Sequence, residues 1–457
     1  MPFTTRRAPD STASTLAALQ RHAAPLTGAA ADDKGLFDLL ASSRFALLGE
    51  ASHGSDDFYR ERAAITRRLI VERGLDAVAL EADWPDAHRV SRYVRGLGDD
   101  AGGEAALADF KRFPTWMWRN TVMLEFVEWL RAHNATLAPA DRIGIYGLDL
   151  YSLFTSIGAV LTYLDRTDPE AARRARDRYA CFDRFAEDSQ AYGYATRFDL
   201  DASCEQAVVA QLRELVAQSG AVSRGLAPGD ADAFFHAEQN ARLVKNAEAY
   251  YRAMFSSRVS SWNVRDRHMA ETLAALDAQL ARRRGRPARI AVWAHNSHLG
   301  DARATEMGEG GELNLGQLVR ERHGAAAVLL GFSTHHGTVT AARDWDEPAQ
   351  TREVRPGLDG SFEALFHAVG PARFRLVLRG NDELAQALAA PRLQRAIGVV
   401  YRPETERQSH YFEARLPRQF DAVVHLDQTR ALAPLDRRAN ADDASTVEPP
   451  ETFPSGV

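Results

Sequence analysis

Along this chain, four short and almost wholly apolar runs each stop at a residue able to do chemistry. Phe45–Leu48 runs into Gly49, Glu50, Ala51, Ser52, His53 and Gly54. Ala77–Leu80 stops at Glu81, Ile143–Tyr146 leads through Gly147 and Leu148 to Asp149, and Ile290–Trp293 leads through Ala294 to His295, Asn296, Ser297 and His298. Such runs, bounded by turn residues, read as strands buried on both faces. Between the first two, Phe58–Glu72 carries apolar residues at helical spacing, with Ser55, Asp56 and Asp57 ahead of it as capping residues and Gly74 behind. A strand–helix–strand order calls for a right-handed crossover and parallel strands. Parallel strands bring all four chemical ends to one edge, the carboxyl edge at which open α/β sheets bind ligands.

From about 152 to 284 the strand pattern gives way to helical spacing, in Ser156–Leu164, Glu205–Ser219, Asp230–Phe255 and Asp266–Arg283. Strands return at Ile290 and then at Ala326–Leu330, Thr338–Ala341, Phe374–Leu378, Ile397–Val400 and Ala422–Leu426. The fold expected is α/β: a mostly parallel central sheet flanked by helices, with a helical insertion forming one wall or lid of a cleft. It divides the chain into an N-terminal helical or flexible lead (1–43), a first part of the sheet domain (44–150), the insertion (151–285), a second part of the sheet domain (286–436) and a polar, proline-rich tail (437–457) that reads as disordered.

Composition narrows the function classes. A hydrophobic fraction of 45% over 457 residues suits a globular protein with a large core. No apolar run approaches the roughly 20 residues of a membrane helix, and Met1–Arg7 is charged with no apolar stretch behind it, unlike a secretory signal. Sixty-two acidic against 56 basic residues leave a net charge of −6, with no nucleic-acid footprint. Cys181 and Cys204 are too few for a disulfide scaffold or a thiolate zinc site. The expectation is a cytoplasmic protein acting on a small molecule, without nucleic-acid or membrane partners; oligomeric state is not legible.

Glu50 and His53, three apart on a turn, can place a carboxylate against an imidazole, fixing its tautomer and raising its basicity. Glu81 can support either His53 or the pair His295 and His298. Arg62, early in the following helix, can reach back to stabilise an oxyanion or hold a substrate carboxylate. No G-x-S-x-G elbow, phosphate-binding loop, G-x-G-x-x-G or C-x-x-C is present. Water, activated by a base or by a metal, is the candidate nucleophile.

These residues resemble the erythromycin esterase family. The resemblance rests on Gly49–Gly54, Glu81, Ala294–His298, Gly147-Leu148-Asp149, and Arg265-Asp266 with Met269, in order from about Arg44 to Leu426. It implies an α/β hydrolase with a deep cleft that opens a macrolide-type lactone with water, without a covalent acyl-enzyme, and a role in the response to antibiotic. By matching position it implies His53 as general base, Glu50 as the residue that orients it, Glu81 beside them, and His295 binding or protonating substrate. Arg62, His298 and Asp149 are the implied substrate-binding or transition-state-stabilising residues. No cofactor is required. Other readings stay open: a different ester or lactone as substrate, a divalent metal held by Glu50, His53, Glu81, His295 and His298, or a non-catalytic haem or ligand binder. Among the bland alternatives, Asp149 shapes its loop, Arg62 makes an ordinary ion pair, and Trp116, Trp118 and Trp129 pack the core or cleft wall.

Overall fold

The computed structural model describes residues 11–27, 34–185, 188–198, 203–222, 228–255 and 257–436. The proposed tail 437–457 lies outside them. Strands follow as β1 (Ala24–Pro25), β2 (Phe45–Leu48), β3 (Ala77–Asp83), β4 (Gly144–Asp149), β5 (Ile290–Trp293), β6 (Ala327–Ser333), β7 (His336–Ala341), β8 (Gln350–Val354), β9 (Arg373–Val377), β10 (Arg392–Arg395), β11 (Tyr411–Ala414), β12 (Ala422–Leu426) and β13 (Gln428–Thr429). Eight of them form the central sheet, in the order β1-β9-β12-β6-β2-β5-β3-β4. From β12 to β4 every neighbouring pair is parallel, while β9 runs antiparallel to both β12 and β1. The fold is therefore the expected mostly parallel α/β sheet, and β2, β5, β3 and β4 lie side by side with their carboxyl ends on one edge.

Strand alternation sorts the core into two layers. Phe45, Leu47, Ala77, Ala79, Ile290 and Val292 face the helices contributed by residues 153–284. Ala46, Leu48, Val78, Leu80, Ala291 and Trp293 face the helices Asp56–Arg73, Trp84–Val94 and Thr121–Ala135. A fully buried Val, Leu, Ile or Phe of this kind contributes about 1.5–3 kcal/mol by leaving water, and each of the four strands carries at least two such residues or larger. In the insertion, two long helices, Pro228–Met254 and Arg258–Arg284, supply the wall, and Cys181 is disulfide-bonded to Cys204 across two of its other segments. Among the described residues no helix is long and apolar enough to cross a membrane.

Two local expectations fail. Ile397–Val400 is no strand: Ile397 forms an isolated bridge to Ser52 and Val400 another to Ala342. Ile397 and Val400 are buried because the segment lies across the loop after β2, donating Ile397 N–H to the Ala51 carbonyl at 2.9 Å. Ser55 stands at the N-cap of helix Asp56–Arg73 but makes no side-chain capping bond, its hydroxyl being 2.5 Å from that of Ser52. The other end behaves as its sequence implies. Gly74 takes φ 62°, and it and Leu75 return their N–H groups to Ile70 and Leu69.

Candidate active site

Glu50, just past β2, is fully buried and divides its carboxylate between two partners. Oε1 lies 2.9 Å from His53 Nδ1, and Oε2 accepts from Arg62 Nη2 at 2.5 Å. Arg62 sits on the inward stripe of its helix with Tyr59, Thr66 and Leu69, at the three- and four-residue spacing of one helical face. Its guanidinium stacks over Tyr59 at 4.4 Å and Trp293 at 5.2 Å. With no exposed side-chain surface, Arg62 stands behind Glu50, and the expected contact with substrate is replaced by a charge-pairing position. His53 keeps 8% of its side chain exposed against none for Glu50. Its loop is pinned by His53 N–H on the Ile397 carbonyl at 3.2 Å. Gly49 and Gly54 allow the close fit: a Cβ on Gly49 would lie 2.2 Å from Asn296 Oδ1, and one on Gly54 1.8 Å from the Thr340 carbonyl oxygen.

The far side of the site is built from β3, β4, β5 and the insertion. A register shift between Leu80 and Asp83 interrupts the pairing of β3 with β4, the kind of irregularity that re-aims a side chain. Glu81 shares the β3 face of Ala77 and Ala79, toward the insertion. Its Oε2 accepts the His295 N–H at 2.8 Å; its Oε1 accepts from Arg265 Nη2 at 2.7 Å and lies 3.2 Å from His298 Nε2. Of the two supports open to Glu81, the structure therefore gives the His295/His298 pair. Arg265 also holds Asp149 by two bonds, Nε to Oδ1 at 2.9 Å and Nη2 to Oδ2 at 2.6 Å. Two turns of helix Arg258–Arg284 thus present Trp262, Arg265, Asp266 and Met269 along one face.

His298 lies between two carboxylates, with Nδ1 3.0 Å from both oxygens of Asp266 and Nε2 toward Glu81. Trp262 stacks flat on its ring, with centroids 4.4 Å apart. Burial opposes charge on His298, yet Asp266 and Glu81 outweigh it and push the imidazole up to about 9. Arg265 Nη1 also lies 3.1 Å from Nε2, and its positive charge works against that of the imidazole without overcoming the two carboxylates. Burial likewise pulls Glu81 up, but His298, His53 and Arg265 reverse it and hold the carboxyl well below its ordinary range. His295 goes the other way: burial, then the charge of His53, keeps it well below the ordinary histidine value, hence neutral. The Ser297 N–H donates to His295 Nδ1 at 3.2 Å, which assigns the ring proton to Nε2. That buried nitrogen has no hydrogen-bond partner of normal geometry, and the ring stands 4.8 Å, centroid to centroid, from that of His53.

All seven residues singled out in the sequence thus belong to one connected cluster. Arg265 and Asp266, visible only as part of the family pattern, prove to be its organisers on the insertion side. Their signal was positional: charged side chains on the same helical face as Met269, which is fully buried. Of the five donors of the metal-binding alternative, Glu50, Glu81 and His298 are turned onto Arg62, Arg265, Asp266 and one another. Among the described residues the group whose three ligand atoms lie within 4.8 Å of one another is elsewhere, at His335, His336 and Asp427.

The sequence profile of the erythromycin esterase family matches residues 70–429. It takes in Glu81, Asp149, Arg265, Asp266, His295 and His298, and begins beyond Glu50, His53 and Arg62. A Bacillus subtilis (strain 168) protein named "Putative hydrolase YbfO" is 22% identical over 435 residues, covering 90% of each chain. A succinoglycan biosynthesis protein of known structure aligns with a TM-score of 0.75 at 19% identity, over 92% of this chain and 98% of its own. A Bacillus cereus protein aligns at 0.76 and 18%, over 93% and 99%. A mutant of erythromycin esterase EreC in its open conformation aligns at 0.64 and 16%, over 87% and 94%. At these identities the structures speak for the fold, while the profile, spanning most of the chain and most of the cluster, speaks for descent: the chain belongs to the erythromycin esterase family.

Proposed function

We propose that this chain is a hydrolase that opens a carboxylic ester or lactone, of macrolide type in the first instance, with water activated by His53 and no covalent acyl-enzyme. Family membership and a relative named as a hydrolase support hydrolysis. The observation that carries the mechanism is the Glu50–His53 pair at 2.9 Å, with His53 retaining an accessible edge. Glu50 accepts the Nδ1 proton, which leaves the Nε2 lone pair for water. His53 Nε2 takes one proton as the hydroxide adds to the carbonyl carbon. His295 Nε2–H, neutral and without a normal partner, donates to the oxyanion. Collapse breaks the C–O bond, and His53 returns its proton to the alkoxide, giving one carboxylic acid and one alcohol. Four buried carboxylates (Glu50, Glu81, Asp149, Asp266) face three cations (Arg62, Arg265 and the His298 imidazolium). The surplus negative charge stabilises the cation that forms on His53 in the transition state.

The test is mass-spectrometric: purified protein is offered erythromycin-type macrolides and a panel of simple esters and lactones. Gain of one water on a macrolide, lost in His53→Ala, is expected. Hydrolysis of a panel ester alone would retain the chemistry and remove the antibiotic role, and an active His53→Ala would remove the general base.

A further inference from the structure

Beyond the cluster just described, the same carboxyl edge carries a second group of histidines where β6 and β12 end. After β6 the chain passes through Thr334 to His335 and His336, and after β12 it reaches Asp427. The N–H groups of His335 and His336 both donate to the Asp427 carbonyl, at 3.2 and 3.1 Å. Buried Arg395 clamps the same turn, its Nη2 donating to the Thr334 and His335 carbonyls at 2.8 Å each. Consecutive side chains of an extended strand point to opposite faces, but this clasp turns both imidazoles together, with Nδ1 3.1 Å from Nδ1. The donor atoms of His335, His336 and Asp427 lie within 4.8 Å of one another, and all three residues are half-buried.

We propose that His335, His336 and Asp427 bind a divalent transition-metal ion of the zinc class. Two ring nitrogens facing each other at 3.1 Å cannot both carry protons. Their spacing is close to the edge of about 3.3 Å that a tetrahedron with Zn–N bonds of about 2.0–2.1 Å requires. Imidazole with carboxylate and no thiolate favours zinc, copper or nickel over calcium or magnesium. The surroundings suit a ligand set: His367 Nδ1 lies 2.7 Å from Asp427 Oδ1 and its ring stacks on His335 at 3.9 Å, while His425 Nε2 lies 3.4 Å from the same oxygen. Such partners orient metal ligands. Three protein ligands at partial exposure leave a fourth position for water or an exchangeable ligand.

The full chain, stripped with a chelator and dialysed, is titrated with zinc by calorimetry and with cobalt(II) by visible absorption. One equivalent of zinc and a tetrahedral cobalt spectrum are expected. His336→Gln and Asp427→Asn should weaken affinity by about 10–100-fold or more, and His53→Ala should bind as the parent does. In the unmutated chain, zinc should protect His335 and His336 from diethyl pyrocarbonate, mapped by peptide mass spectrometry, which needs no variant to fold. No stoichiometric uptake, unchanged modification of the two histidines, or binding that is lost in His53→Ala and kept in His336→Gln would overturn the proposal.

Discussion

The two halves of the cluster use histidine in opposite ways. On the sheet side, His53 has one carboxylate on one nitrogen, and that carboxylate is already paired with Arg62. On the insertion side, His298 has carboxylates on both nitrogens, a tryptophan on its face and almost no exposure. An imidazole with one anchored and one open nitrogen can exchange a proton with substrate water. One gripped at both nitrogens keeps its proton and acts as a cation in the wall. The same side chain becomes a base or a structural charge according to how many of its nitrogens are spoken for.

The contrast breaks most sharply at His53. His53→Ala should lower the hydrolytic rate by about two to four orders of magnitude with little change in melting temperature, checked by turnover and calorimetry on one preparation. A comparable fall in stability would place His53 with the structural half.

Arg265→Met should do the reverse. It leaves Glu81 and Asp149 buried without their shared cation, at a cost of about 3–5 kcal/mol, read as a lower denaturation midpoint. An unchanged midpoint would remove Arg265 as the organiser of the wall.

The His298 charge sets a pH dependence. Its folded value of about 9 lies above the ordinary 6.5, so its stabilisation is full below 6.5 and is lost as pH rises through 9. The loss is on the order of 3 kcal/mol. Chemical denaturation at pH 6 and pH 9.5 should show it in the parent chain, and His298→Asn should flatten it.

The smallest effect belongs to Glu50→Gln, which keeps the shape of the pair and removes its charge. We expect a ten- to hundred-fold slower reaction, within the range of acid–base assistance, together with a displaced pH–rate profile. A parental profile in that variant would detach Glu50 from His53.

Legibility in the sequence followed how local each interaction was. β2, β5 and β12 begin and end where their apolar runs do, because strands buried on both faces admit few polar residues. The Glu50–His53 pair was legible because a turn closes it within three residues. For Arg62 the helix was legible, but not whether it faces substrate or makes the ion pair that it forms with Glu50. Its neighbours Arg60, Arg67 and Arg68 masked the stripe of Tyr59, Thr66 and Leu69 that carries it inward. Ile397–Val400 misled because burial against a loop leaves the same apolar signature as burial in a sheet. His335 and His336 carry no local signal, since the aspartate that gathers them lies about ninety residues further on.

By itself the sequence determined the layered α/β architecture and the shared edge of the chemical strand ends, which follow from periodicity and order along the chain, and its motifs carried the resemblance to the family. Only the tertiary structure decided which histidine is open and which is gripped. That choice rests on Arg62, Arg265 and Asp266 reaching the site across the fold. Electrostatic and hydrogen-bonding energies depend on distances of a few ångströms between residues that the chain itself leaves up to hundreds of positions apart.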